Sequence, residues 1–250
     1  MVNYNYIYTS LKNEHTFHII LNRQKQYNSL NQKLSQELIS AFKYADENTK
    51  IKCIIISGGD NFSAGADISE LYTDPHFIDL WEEIDKIKKP IIAIINGVAL
   101  GGGLELILMF DIILATKDSK FGQPEIKLGL IPGGGATQRL PRIIGKNLSL
   151  EMCLTGNTIS AIEAKELGII NKICSEEELI PFAENLASQI AEKSTESIIM
   201  IKHLIKQSFN LKIEEGLRQE KNNFYKIIKS KNGIEGINAF IEKRKPKFCD

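Results

Sequence analysis

Two carboxylates and two runs of small residues are the groups in this chain whose types and spacing could do chemistry. Glu105 follows Gly101-Gly102-Gly103 and is surrounded in sequence by Leu104, Leu106, Ile107, Leu108 and Met109. Burying a carboxylate among such neighbours is costly and raises its pKa. A Glu partly exposed in a helix's first turn, favoured by the helix dipole, fits the same residues. The glycines permit close backbone approach and φ values that other residues avoid. Where a helix begins, they aim unpaired N–H groups and the positive dipole end at whatever lies there, and anionic oxygen is the natural guest. A second run, Ser63-Ala64-Gly65-Ala66-Asp67, stands at the exit of another strand. Two such turns side by side could each offer one N–H to a shared oxygen, and one such donor is typically worth about 2.7–4 kcal/mol of transition-state stabilisation. Two tight turns that need small residues only for packing would read the same way. The second carboxylate, Glu125, sits in the turn Phe121-Gly122-Gln123-Pro124-Glu125.

Several other chemistries lack their residues. A third glycine cluster, Gly133-Gly134-Gly135, precedes a helix through Arg139, but the chain has no Gly-x-Gly-x-x-Gly or Gly-x-x-x-x-Gly-Lys pattern for dinucleotides or phosphates. Nor is there a Gly-x-Ser-x-Gly nucleophile turn. Cys53, Cys153, Cys174 and Cys249 form no Cys-x-x-Cys pair, which fits free thiols in a reducing, cytoplasmic setting. His15 and His18, read as lying on one strand, would face opposite ways, and no metal site is expected. Lys+Arg and Asp+Glu are both 31 in 250 residues, so neither nucleic acid nor an acidic membrane is called for as a partner. The opening residues lack a basic region followed by an apolar run, so no signal peptide is expected. Residues 91–110 are long enough to span a bilayer, yet Glu105 near their middle would cost about 2.5–3.5 kcal/mol there. Asn96 and four glycines also interrupt that run, and it reads as a soluble core element.

The elements that must position these groups follow from periodicity. Residues 4–10 and 16–21 read as a hairpin around Lys12-Asn13-Glu14. Residues 31–48 form a helix with Leu34, Leu38, Phe42 and Ala45 on one face. The run 91–95 is apolar throughout, as a strand buried on both faces would be, and 53–57 reads as another buried strand. Residues 79–88 are expected to be helical, with Trp81, Ile84 and Ile87 on one side, after a mobile segment beside the site. Strands follow at 112–115 and 169–174. Ser160 with Glu163 and Ser175 with Glu178 fit capping boxes. Helices are expected over 176–193, 195–209, 213–229 and 233–243. The basic cluster Lys243-Arg244-Lys245 and Lys247 reads as a solvated face, with a phosphate contact as the alternative. A strand-rich first part and an all-helical end predict an α/β core with a helical C-terminal lobe.

Several blocks together resemble the crotonase (enoyl-CoA hydratase/isomerase) family, and within it the short-chain enoyl-CoA hydratases. They run from Leu21-Asn22-Arg23 through Ser63-Ala-Gly-Ala-Asp67, Asn96-Gly-Val-Ala-Leu-Gly-Gly-Gly103, Phe121-Gly-Gln-Pro-Glu125 and Gly135-Ala-Thr-Gln-Arg139 to Ala239-Phe-Ile-Glu-Lys-Arg-Lys245. The resemblance implies an α/β spiral of strand-strand-helix repeats over residues 1–193. It also implies a helical C-terminal trimerisation region over 194–250 and a homotrimer or a hexamer built as a dimer of trimers. It implies an oxyanion hole from the N–H groups of Ala66 and Gly102, with Glu105 and Glu125 as the catalytic pair. Substrate contacts then fall on Ala64, Ala66, Asp67, Ile68, Ser69 and Gly102. The implied reaction is reversible syn hydration of a trans-2-enoyl-CoA to 3-hydroxyacyl-CoA, with coenzyme A as part of the substrate and no separate cofactor.

The chain departs from the family pattern at Gln24, where Arg-Pro is usual, at Leu104, where many hydratases have Cys, and at Ser69, where Lys is frequent. Residues 67–89, which usually wall the acyl pocket, look short. The alternatives within the family are a Δ3,Δ2-enoyl-CoA isomerase or another acyl-CoA reaction. Retention of both glutamates favours hydration over isomerisation, which needs one base. An RNA-binding relative would need a basic helix face, but Lys33 and Lys43 are offset by Glu37, Asp46 and Glu47.

Overall fold

The structure, a computed structural model, describes residues 4–249; residues 1–3, where the opening stretch read above begins, and residue 250 lie outside them. The chain runs β1 (Ile7–Lys12), β2 (Thr16–Leu21), α1 (Gln32–Glu47), β3 (Cys53–Ser57), α2 (Ile68–Thr73), α3 (Glu82–Asp85) and β4 (Ile91–Ile95). Next come β5 (Val98–Leu100), α4 (Gly102–Ile107), β6 (Ile112–Thr116), β7 (Lys120–Gly122), α5 (Ala136–Ile144), α6 (Lys146–Thr155), β8 (Thr158–Ser160), α7 (Ala161–Glu166) and β9 (Lys172–Cys174). Four helices end it: α8 (Glu176–Ala191), α9 (Thr195–Gln207), α10 (Ile213–Ile227) and α11 (Lys231–Ile241).

Six strands form one sheet in the order β1-β2-β3-β4-β6-β9, parallel except for the β1–β2 hairpin. The uninterrupted apolar runs are explained by the two layers they separate. Cys53, Ile55, Ile92, Ile94 and Leu114 face Leu179, Ala183 and Ala187 of α8. Ile54, Ile56, Ile91, Ala93 and Ile95 point the other way, into the main core with Leu34, Leu38 and Phe42 of α1. A second sheet, β5-β7-β8, lies beyond the first, and Ser63 bridges onto Ala99 of its first strand. From β3 onward each turn of chain therefore leaves the large sheet, touches the small one and returns through a helix or a turn.

Some elements differ from the sequence expectation. Strand β1 starts at Ile7, and Asn13 and Glu14 make the turn with φ of 49° and 60°. His15 lies in that turn, bonded to the Lys50 carbonyl, while His18 is buried on β2 beside Glu184. Residues 75–85 are a 3-10 helix, Pro75–Trp81, followed by the single turn of α3. Asp74 caps that helix through His76 N–H and Pro75 fixes its first φ, so it begins earlier and winds tighter. Trp81, Ile84 and Ile87 are nevertheless all buried, because a spacing of three serves either winding. Only residues 172–174 of the expected 169–174 are strand, and the three-residue strands of the second sheet were not anticipated. Ser160 and Glu163 complete a capping box. Ser175 caps Glu178 N–H, but the Glu178 carboxylate returns to the Ser175 hydroxyl.

Candidate active site

The two small-residue turns meet. Leu30 N–H donates to Gly65 O and Asp67 N–H to Leu30 O, which turns the intervening Ala66 N–H outward from that bridge. Gly102 opens α4, so its N–H precedes any intrahelical acceptor. Neither N–H has an acceptor among the described residues. They are close neighbours: a Cβ on Gly102 would lie 3.3 Å from Ala66 N, and one on Gly65 would lie 3.4 Å from Gly102 N. Gly65, at φ +104° and with Leu100 O 2.9 Å from where its Cβ would be, must be glycine for the turns to approach.

Glu105 is 2% exposed, which decides between the two readings of its position. Its Oε1 accepts from Gly134 N–H at 2.8 Å and Ala136 N–H at 3.0 Å, so the third glycine cluster holds the carboxylate. Burial raises its pKa, and the backbone N–H groups of Ala136, Gly134 and Gly135 with the Arg139 charge oppose the rise. Glu125 lies in the 3-10 turn Pro124–Leu128, with Oε1 2.9 Å from where a Cβ on Gly101 would be. Burial pushes its pKa up to about 7; its own backbone N–H works against the rise and the charge of Glu105 adds to it.

The other expected contacts divide. Ala64, Ile68 and Ser69 are exposed at the rim, and Ala64 N–H is bonded to Tyr27 O. The Asp67 carboxylate is turned inward, bonded by Arg23 at 2.9 Å and by the Ser69 hydroxyl at 2.7 Å. Those bonds lower its pKa against the opposing effect of burial. Arg244 of the basic cluster is held by Glu235 and Glu242.

Two further residues belong to the site. Gln123 is fully buried, and with Nε2 turned toward Glu125 it donates to both carboxylate oxygens at 2.9 and 3.0 Å. Turned the other way, its oxygen can accept from a protonated Glu125. The Trp81 ring packs on both glycine turns: Cβ atoms on Gly102 and Gly134 would meet it at 2.7 and 2.6 Å. Its Nε1 donates to Ser35 Oγ at 3.1 Å, which fixes the ring. In the sequence Gln123 was visible only as part of the Glu125 turn, and Trp81 only as an apolar position on a helix.

The fold and this site define a spiral α/β protein in which paired N–H groups can hold an oxyanion beside two carboxylates able to exchange protons. The model of the Enoyl-CoA hydratase/isomerase family matches residues 12–250, and the chain belongs to that family. It is 44% identical over 238 residues to a probable mitochondrial enoyl-CoA hydratase of Dictyostelium discoideum, covering 92% of this chain and 86% of that protein. It is 36% identical over 241 residues to the 2,3-dehydroadipyl-CoA hydratase of Escherichia coli, covering 92% and 93%. Among solved structures, an enoyl-CoA hydratase from Geobacillus kaustophilus superimposes with a TM-score of 0.94 at 37% identity, covering 98% of each chain. One from Bacillus anthracis gives 0.93 at 34% identity, covering 98% and 99%. The expected spiral with its helical C-terminal region is thus the fold observed.

Proposed function

We propose that the protein is an enoyl-CoA hydratase, adding water reversibly and syn across the 2,3 double bond of a trans-2-enoyl-CoA to give 3-hydroxyacyl-CoA. The observation that carries this reading is the convergence of two carboxylates with raised pKa on paired backbone N–H groups that have no acceptor among the described residues. Addition at the β-carbon drives charge onto the thioester oxygen, where Ala66 and Gly102 N–H would hold it. Glu105, its Oε1 tied to backbone, presents Oε2 to orient and deprotonate the water. Glu125, with a pKa of about 7, keeps a substantial protonated population at neutral pH to deliver a proton to the α-carbon. Each acid–base role is worth about 10²–10⁴-fold. Water and protons complete the atom balance, so the reaction needs no cofactor beyond the coenzyme A carried by the substrate. Ala64, Ile68 and Ser69 form the exposed rim nearest the oxyanion turns and are assigned to the substrate, with Asp67 bracing that rim from inside.

Residues 194–250 serve in this reading as an assembly lobe giving a homotrimer or a dimer of trimers, and the protein works in the cytoplasm. The test is the loss of enoyl-thioester absorbance when purified protein meets crotonyl-CoA, with product identified as 3-hydroxybutyryl-CoA. Glu105→Gln and Glu125→Gln are each expected to slow that loss by at least about 10²-fold. Folded variants that work at the parent rate would remove the two glutamates from the mechanism. A parent that leaves crotonyl-CoA intact but isomerises a 3-enoyl-CoA would replace hydration with the isomerase reaction.

A further inference from the structure

The stretch Gly133-Gly134-Gly135 grips Glu105 but has no side chains with which to hold its own shape, and Gly135 has φ of +111°. Arg139 supplies the hold. From one turn further along α5, its Nη1 donates to Gly134 O at 2.9 Å. The guanidinium folds back over Gly135, where a Cβ would come within 1.9 Å of Nη1, so only glycine leaves it room. Gly134 therefore gives its N–H to Glu105 and its carbonyl to Arg139. On the far side of the guanidinium, Asp85 Oδ2 lies 3.7 Å from Nη2 as an ion pair. Asp85 ends α3 and is itself held from α9, where Lys206 Nζ reaches its Oδ1 at 2.9 Å and its backbone carbonyl at 2.5 Å.

We propose that Arg139 is a positioning residue for Glu105, clamping Gly134 so that two N–H groups stay on Oε1 while Oε2 faces the reacting water, with Asp85, fixed by Lys206, holding Arg139 in that pose. This rests on the hydratase reading for its consequence in turnover. The charged or titratable groups facing Glu105 are Arg139 from α5, Glu125 from the 3-10 turn after β7 and Cys153 from α6. Arg139 is the cation among them, and its charge opposes the rise that burial imposes on Glu105. A base must be ionised, so losing that charge moves the working range of Glu105 upward in pH.

The test uses full-length Arg139→Gln, Arg139→Lys and Asp85→Asn proteins, with fold and assembly checked by circular dichroism and sedimentation. Two readouts are taken: kcat and KM for crotonyl-CoA against pH, and the titration of the Glu105 carboxyl carbon by NMR in glutamate-labelled protein, assigned with Glu105→Gln. Arg139→Gln is expected to lose roughly 10- to 100-fold in kcat with little change in KM. Its Glu105 titration and the acid limb of kcat/KM should both move to higher pH. Arg139→Lys keeps the charge but not the fork, so its titration should stay near the parent's while kcat falls. Asp85→Asn should lower kcat in the same direction by a smaller factor. Parental kcat and an unmoved Glu105 titration in the Arg139 variants would overturn the proposal; should Arg139→Gln fail to fold, the same result in Arg139→Lys and Asp85→Asn would do so. A parent inactive on crotonyl-CoA would sink the hydratase reading alone, because the titration needs no turnover and still decides whether Arg139 governs Glu105.

Discussion

Glu125 keeps its proton in the folded protein over a pH range in which the unfolded chain has already released it. Its pKa is about 7 against an ordinary 4.5, so between these values the native state binds more protons than the unfolded state. Stability must then fall as pH rises through that window, and the whole loss is present above the folded pKa. Glu125→Gln removes the titration while keeping the shape and a partner for Gln123. The variant and parent should therefore melt together near the ordinary pKa of 4.5. The variant should be the more stable at about pH 8, read by calorimetry at one protomer concentration. Equal melting temperatures at the higher pH would mean that Glu125 sits in a wetter place than its burial suggests. A stabilised but slow variant would be the ordinary exchange between activity and stability at a reactive group. At this scale the sequence was informative where chemistry and surroundings clash. A glutamate inside an apolar run stands out, whereas Gln123 and Trp81 do not, because a buried amide and a buried indole are common core residues. Arg139 was legible as a helix residue and as the end of one family block, but not as a partner of Glu105, since Gly134 and Asp85 meet it through the fold.

Helix α9 is tied to the large sheet by an ion pair whose lysine side chain is largely covered. Lys202 Nζ lies 2.7 Å from Asp111 Oδ2 and 2.8 Å from the Lys89 carbonyl, and the same Asp111 oxygen accepts from Ile91 N–H at the head of β4. The Lys202 side chain is only 9% exposed, and burial lowers its pKa while Asp111 holds it up. Asp111→Ala would leave the largely covered Lys202 ammonium without its counterion and free the Ile91 N–H, at a cost of about 1–3 kcal/mol. Adding Lys202→Met should recover much of that, because the uncompensated charge dominates the loss. Denaturant midpoints at fixed protomer concentration would show it, and an Asp111→Ala protein within about 0.5 kcal/mol of the parent would refute it. Elements were readable to different depths for physical reasons. Strands β3 and β4 match their apolar runs because both faces are buried and nothing else explains such runs. Strands β5, β7 and β8, three residues each, carry too short a pattern, and their partners come from distant parts of the chain. The 3-10 helix at residues 75–81 escaped because apolar residues three apart satisfy both helix types.

The last three helices contribute little to the protomer's own core. Among the described residues α9 and α10 bury none, and α11 buries Asn232 and Ala239. Yet Ile205, Phe209, Ile213, Leu217, Phe224 and Phe240 are each more than half exposed, with Phe240 at 85%. Amphipathic helices with their apolar sides uncovered, on a protein whose remaining layers are packed, form the kind of patch that marks association. The patch predicts association, and on the reading proposed above the parent should sediment as three or six protomers. Leu217→Glu, which places a carboxylate in that patch away from Lys206 and Asp85, should shift it toward the monomer with helical content retained. A monomeric parent, or an unshifted variant, would deny these helices the assembly role. Turnover adds a second reading of the same variant. If assembly steadies α9, and α9 steadies Asp85 through Lys206, the monomer should lose kcat more than it raises KM, the split expected when a base is loosened and substrate contacts are kept. Unchanged kcat in a monomeric, folded Leu217→Glu protein would show that each protomer holds its own Glu105 in place without help from its neighbours.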